Sequence, residues 1–114
     1  AMLPDIKAYL GKYHVPFVET TNLPDAMSCA DVVYQTRVQK ERFEDVAEYE
    51  RLKDAYVITR ALADSMQERA IIMHPLPRVN EIETAVDTSR HAAYFRQVAY
   101  GVSVRMALLQ MLLG

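Results

Sequence analysis

Two short polar segments hold most of the residues able to recognise a charged small molecule: Thr36-Arg37-Val38-Gln39-Lys40-Glu41-Arg42 and His74-Pro75-Leu76-Pro77-Arg78. In the first, three cations lie within six residues. If its start is extended, Arg37 and Gln39 point to the same side. An arginine fork matches a carboxylate bidentately, and a glutamine amide adds further donors. Such a pair suits an acidic small molecule. The competing reading is a solvated charged loop in which the cations pair with Glu41 and Glu44, as charge runs usually do. In the second segment two prolines flank one residue, which fixes φ on both sides and removes two N–H donors. The carbonyls of Pro75 and Leu76 are then available to a ligand, and an X-Pro bond here can be cis. Two competing readings stand: a rigid turn with His74 as a satisfied structural histidine, or a proline-rich ligand for an adaptor domain.

Other chemistries find little support. His14, His74 and His91 lack metal-ligand spacing and no Cys or carboxylate cluster joins them, so no metal is expected. The three glycines are isolated, so there is no phosphate-cradling loop, and no Gly-x-Ser-x-Gly elbow occurs. No cofactor is implied. Cys29 is the only cysteine, which excludes an internal disulfide and a thiolate cluster and fits a reducing, cytoplasmic setting. A formal net charge of −2 and a pI of about 5.9 argue against a nucleic-acid or membrane-surface binder. The apolar stretch Met106–Leu113 is too short to span a bilayer, and the N-terminus shows no signal-peptide pattern.

The elements that must position these segments follow from periodicity. Helices are expected over Asp5–Lys12, Leu23–Ala30 with Asn22 as N-cap, Val46–Lys53, Arg60–Glu68 with Thr59 as cap, and His91–Gly114. The last of these carries Val98, Val102, Met106, Leu109 and Leu113 on one face. Strands are expected over Val15–Thr20, at an edge because of Pro16, and over Asp31–Thr36 and Ala70–Met73. Val57-Ile58 is a brief apolar piece, Arg37–Asp45 a polar run, and His74–Arg90 loop-rich. This alternation predicts an α/β fold, a layered parallel sheet flanked by helices, in a single unit over residues 1–114. In such sheets ligands bind beyond the carboxyl ends of the strands. Both polar segments directly follow an expected strand. The residues by themselves therefore support an α/β ligand-binding domain with an anion-favouring loop.

At these same positions the chain resembles the aspartate transcarbamoylase family. The resemblance rests on DVVYQTRVQKERF (Asp31–Phe43), MHPLPRVNEI (Met73–Ile82), the stretch from Val86-Asp87 to His91-Ala92-Ala93-Tyr94-Phe95-Arg96-Gln97, and Arg105-Met106-Ala107-Leu108-Leu109. These appear in the family's order and approximate spacing, over essentially the whole chain. The resemblance implies an aspartate-binding domain, and a reaction in which the aspartate α-amine attacks the carbamoyl carbon of carbamoyl phosphate. The products are N-carbamoyl-aspartate, the entry to pyrimidine synthesis, and phosphate.

By the same resemblance, Arg37 and Gln39 match ligands of the aspartate carboxylates. Pro75 and Leu76 match positions whose backbone carbonyls hold the carbamoyl amide, and Leu76-Pro77 matches a cis peptide. Arg42, Glu48 and Tyr49 match a mobile segment whose contacts favour a closed state. No residue of this half matches a general base. Ornithine-using relatives place a cysteine in the loop that here reads His74-Pro75-Leu76-Pro77 and lack the TRVQKER run. Asn80 stands where some members carry Asp. The family's Ser-Thr-Arg-Thr carbamoyl-phosphate motif and a further substrate arginine do not occur in these 114 residues. Both ends read as cut edges, so the expectation is an aspartate domain incomplete at its N-terminus, inactive alone. Its expected partners are a carbamoyl-phosphate domain and, in the parent enzyme, two further copies in a homotrimer. A catalytically silent ligand-binding or regulatory module that kept the pocket is the alternative, as is a purely structural oligomerisation piece.

Overall fold

The computed structural model describes residues 2–37 and 56–114. Two parallel strands form its centre, β1 (Val32–Tyr34) and β2 (Ile71–Met73), paired Val32 to Ile71, Val33 to Ile72 and Tyr34 to Met73. Both are dominated by β-branched residues, which fit a pleated, half-buried surface. Alternation puts Val33 and Ile72 towards the core, Ile72 completely buried. The other edge of β2 is extended by His91–Ala93: the Ile72 N–H donates to the His91 carbonyl at 2.7 Å and the Ala93 N–H to the Ile72 carbonyl at 2.9 Å. A separate parallel bridge joins Ile58 to Ile82.

Among the described residues there are four α-helices, α1 (Pro4–Lys12), α2 (Leu23–Cys29), α3 (Arg60–Asp64) and α4 (Tyr94–Leu113). A 3₁₀ turn covers Thr84–Thr88. The expected caps form. The Asn22 side chain accepts from the Asp25 N–H at 3.3 Å, and the Thr59 hydroxyl accepts from the Leu62 N–H at 3.2 Å, each satisfying a donor the helix leaves open. The core gathers Met27, Ile58, Ala63, Met66, Ala70, Ile72, Ile82, Val86 and Tyr94, with Leu76 packed against it.

Several sequence-based boundaries need correction. Val15–Thr20 is not a strand: no ladder forms along it, and Pro16 withholds one of the N–H groups a ladder would use. The third helix ends at Asp64 rather than Glu68, because the chain turns through Ser65 to bury Met66 and then feeds β2. The last helix begins at Tyr94 rather than His91, because His91–Ala93 is committed to pairing with Ile72. Finally, its apolar face meets no partner among the described residues: Val98, Val102, Met106, Leu109 and Leu113 are all exposed. The helix expected over Val46–Lys53 lies outside the described residues.

Candidate functional site

Register decides where the two chemically loaded segments go. Because β1 and β2 run parallel with Tyr34 opposite Met73, both chains leave the same end of the sheet. The Gln35 N–H continues the ladder to the Met73 carbonyl at 2.9 Å, and the Gln35 side chain donates to the Tyr56 carbonyl at 3.1 Å. Arg37, exposed, therefore follows one strand at the edge where His74-Pro75-Leu76 follows the other. This is the carboxyl end of a parallel sheet, where ligands of α/β proteins bind. Gln39, Arg42, Glu48 and Tyr49 lie outside the described residues.

The His74–Asn80 loop is held by its own side chains. The Leu76-Pro77 peptide is cis and Leu76 adopts φ +48°, a left-handed conformation that side chains other than glycine rarely take. The Leu76 N–H donates to His74 Nδ1 at 2.8 Å, so the imidazole proton sits on Nε2, which faces Glu81 Oε1 at 2.8 Å. Glu81 Oε2 accepts the N–H groups of Val79 and Asn80, each at 3.1 Å. His74 is 1% exposed and Glu81 3%. Burial by itself would raise the Glu81 carboxyl, but the N–H groups of Glu81, Val79 and Asn80 together with His74 outweigh it and hold the group below the usual glutamate range. Among the described residues no hydrogen bond ends on the Pro75 or Leu76 carbonyl. His74 is thus a satisfied structural histidine, and the loop it braces presents two unused acceptors.

A second cluster locks the far side of the loop. Arg78 forks onto both oxygens of Asp87, and the Tyr94 hydroxyl donates to the same carboxylate. The Arg78 guanidinium also lies over the Tyr94 ring at 5.5 Å. The Arg78 guanidinium, followed by the Tyr94 hydroxyl, keeps the Asp87 carboxyl below its usual range, while burial and Asp87 push the Tyr94 phenol up to about 12. Gln97, one turn into α4, ties both strand ends together: its Oε1 accepts from the His74 N–H at 2.9 Å, and its Nε2 donates to Tyr34 Oη at 3.2 Å.

Glu81, Asp87 and Gln97 had no assigned role from sequence reasoning. The carboxylates sit seven and nine residues beyond the groups they bind, His74 and Arg78, with no periodic element between. The available signal was the density of polar residues in a stretch flanked by buried Ile72 and Ile82. Elsewhere, no group of three His, Cys, Asp or Glu able to hold a metal occurs among the described residues. Nor is any helix there long and apolar enough to cross a membrane.

Comparison with known proteins places this geometry. Residues 5–112 match the model of the family described as "Aspartate/ornithine carbamoyltransferase, Asp/Orn binding domain". The aspartate carbamoyltransferase catalytic subunit of Clostridium novyi is 48% identical over 113 residues, covering 98% of this chain and 37% of that protein. Among solved structures, the catalytic subunit of M. jannaschii aspartate transcarbamoylase superposes with a TM-score of 0.86 at 45% identity, over 97% of this chain and 36% of that one. The Trypanosoma cruzi aspartate transcarbamoylase, in complex with carbamoyl phosphate and aspartate, gives a TM-score of 0.79 at 38% identity, over 92% and 34%. The chain thus spans about a third of the length of the relatives it matches. With a family match over nearly its whole length and the parallel α/β fold of these relatives, the chain belongs to the aspartate/ornithine carbamoyltransferase family, as its Asp/Orn-binding domain.

Proposed function

We propose that this chain is the aspartate-binding part, residues 1–114, of an aspartate carbamoyltransferase. The parent enzyme transfers the carbamoyl group of carbamoyl phosphate to the L-aspartate α-amine. The amine attacks the carbamoyl carbon, the bond from that carbon to the phosphate oxygen breaks, and the phosphate leaves with the amine's proton. The products are N-carbamoyl-L-aspartate and phosphate, and the pathway is de novo pyrimidine synthesis. Arg37 and Gln39 bind the aspartate carboxylates. The carbonyls of Pro75 and Leu76 hold the carbamoyl amide. Arg42, Glu48 and Tyr49 favour the closed state. Holding two substrates in line supplies much of the rate by proximity, and donors to the developing oxyanion come from the other half of the site.

The observation that supports this reading is the in-register pairing of β1 and β2, which puts Arg37 and His74-Pro75-Leu76 beyond the same end of the sheet. Charge agrees with it, since an arginine at that edge suits aspartate and disfavours a cationic amino acid. A carbamoyl-phosphate domain of the same parent enzyme covers α4. The exposed apolar positions along that helix support this, because the apolar face of an amphipathic helix is ordinarily packed against a partner. The parent assembles as a homotrimer in the cytoplasm, in keeping with the single, unpaired Cys29.

The test is Arg37→Ala in the full-length enzyme. The aspartate KM rises and kcat/KM for aspartate falls, by roughly 2–4 kcal/mol of transition-state binding for a lost charged contact. Unchanged aspartate kinetics in that variant remove Arg37 from the site.

A further inference from the structure

The buried pair His74 and Glu81 has no part in the substrate contacts proposed above, yet nothing in core packing asks for it. A carboxylate that is 3% exposed is costly to bury unless every lone pair facing a donor is used. Here each is used, and the direction of each bond is forced. The Leu76 amide can only donate, so His74 Nδ1 must present its lone pair and the proton must sit on Nε2. That N–H then needs an acceptor at 2.8 Å, which is Glu81 Oε1. The other oxygen faces two more obligate donors, the Val79 and Asn80 amides. Only an ionised carboxylate accepts on both sides at once. An amide of the same shape turns an N–H towards an N–H whichever way it is placed.

The chain of bonds ends on a residue with left-handed backbone. Leu76 sits at φ +48°, a conformation a non-glycine residue keeps only when its surroundings over-determine it. Its N–H is held by His74, its side chain packs against the core, and the preceding strand end is held by Gln97 through the His74 N–H. The N–H groups of His74 and Leu76 are consumed inward, and among the described residues no hydrogen bond ends on the Pro75 or Leu76 carbonyl.

We infer that His74 and Glu81 are positioning residues: through a one-directional hydrogen-bond chain they aim the Pro75 and Leu76 carbonyls at the carbamoyl group. The inference rests on the assignment of those carbonyls to the carbamoyl amide. Neither side chain touches substrate. Their effect passes entirely through the backbone of Leu76.

The experiment uses the full-length enzyme with Glu81→Gln, His74→Asn and His74→Leu, and Arg37→Ala as the reference. Glu81→Gln keeps the volume and removes one acceptor, so kcat falls about ten- to a hundredfold, the scale of misplacing a reacting group by around an ångström. The aspartate KM stays within about threefold, because Arg37 is untouched. His74→Asn keeps an acceptor in the place of Nδ1 for the Leu76 N–H, whereas His74→Leu keeps none. The Asn variant therefore retains a kcat at least about tenfold above that of the Leu variant, at matched melting temperature. Wild-type kcat in Glu81→Gln overturns the inference, as does an equal loss in the two His74 variants. If Glu81→Gln does not fold, the His74 pair decides alone. Failure of the substrate assignment looks different: Arg37→Ala then leaves aspartate kinetics unchanged, whatever the Glu81 and His74 variants do.

Discussion

Replacing Asp87 by Ala removes the hub that fastens the loop after β2 to the start of α4. Asp87 accepts from two nitrogens of Arg78 and from the Tyr94 hydroxyl. Hydrogen bonds to a charged partner contribute about 1.5–3 kcal/mol each when buried. The Arg78 and Asp87 side chains are 15% and 29% exposed, so water recovers part of what is lost. The expected destabilisation is about 2–4 kcal/mol for the set, well below the sum of three isolated bonds. Urea unfolding is followed by circular dichroism at 222 nm, on the full-length enzyme and its variant.

The pH dependence has a definite sign. The Arg78 guanidinium, then the Tyr94 hydroxyl, hold the folded Asp87 carboxyl below its usual range. A group depressed on folding stabilises fully above its unfolded value, near 3.9, and loses that contribution as pH falls through the folded value. The gap between wild type and Asp87→Ala is therefore constant from pH 7 to about 5 and narrows below about 4. A destabilisation under about 0.5 kcal/mol at pH 7, or a gap as wide at pH 3 as at pH 7, refutes the view that the carboxylate anchors this loop.

Two further outcomes test the core and the same cluster. Ile72→Ala empties a completely buried position between β1 and the His91–Ala93 segment, and lowers stability by about 2–5 kcal/mol, read from the shift in urea midpoint. In an alkaline titration of phenolate absorbance near 295 nm, Tyr94 contributes a late component at about 12. A folded-state pKa raised in this way supports the fold below the ordinary tyrosine value, near 10, and that support is lost as pH rises from about 10 to 12. Tyr94→Phe deletes the late component, and a titration indistinguishable from wild type contradicts the burial and pairing of that hydroxyl.

Local signals were enough to locate the two strands and the proline loop that follows the second. DVVY and AIIM are short β-branched or apolar runs; Arg37 follows the first after Gln35-Thr36, and His74-Pro75 follows the second at once. The caps at Asn22 and Thr59 were equally local, because a capping side chain bonds three residues ahead of itself. Val15–Thr20 was misjudged for the complementary reason. Alternation describes what a strand would bury, but a strand also needs a neighbour, and none is supplied there.

Composition, periodicity and motif order determined, without coordinates, that the chain alternates helix and strand and carries an anion-favouring loop and a stiff proline loop. Its resemblance to one family came from the same string of residues. Tertiary structure alone decided that Arg37 and the proline loop share an edge, because parallel register is a relation between segments 39 residues apart, Val32 and Ile71. It alone decided that His74 is braced by Glu81 and Gln97, and that Arg78 is paired with Asp87 rather than left for a ligand. Those partners meet across loops and a helix start that impose no sequence period. Only packing around Ile72, Ile82 and Tyr94 brings them within hydrogen-bond reach.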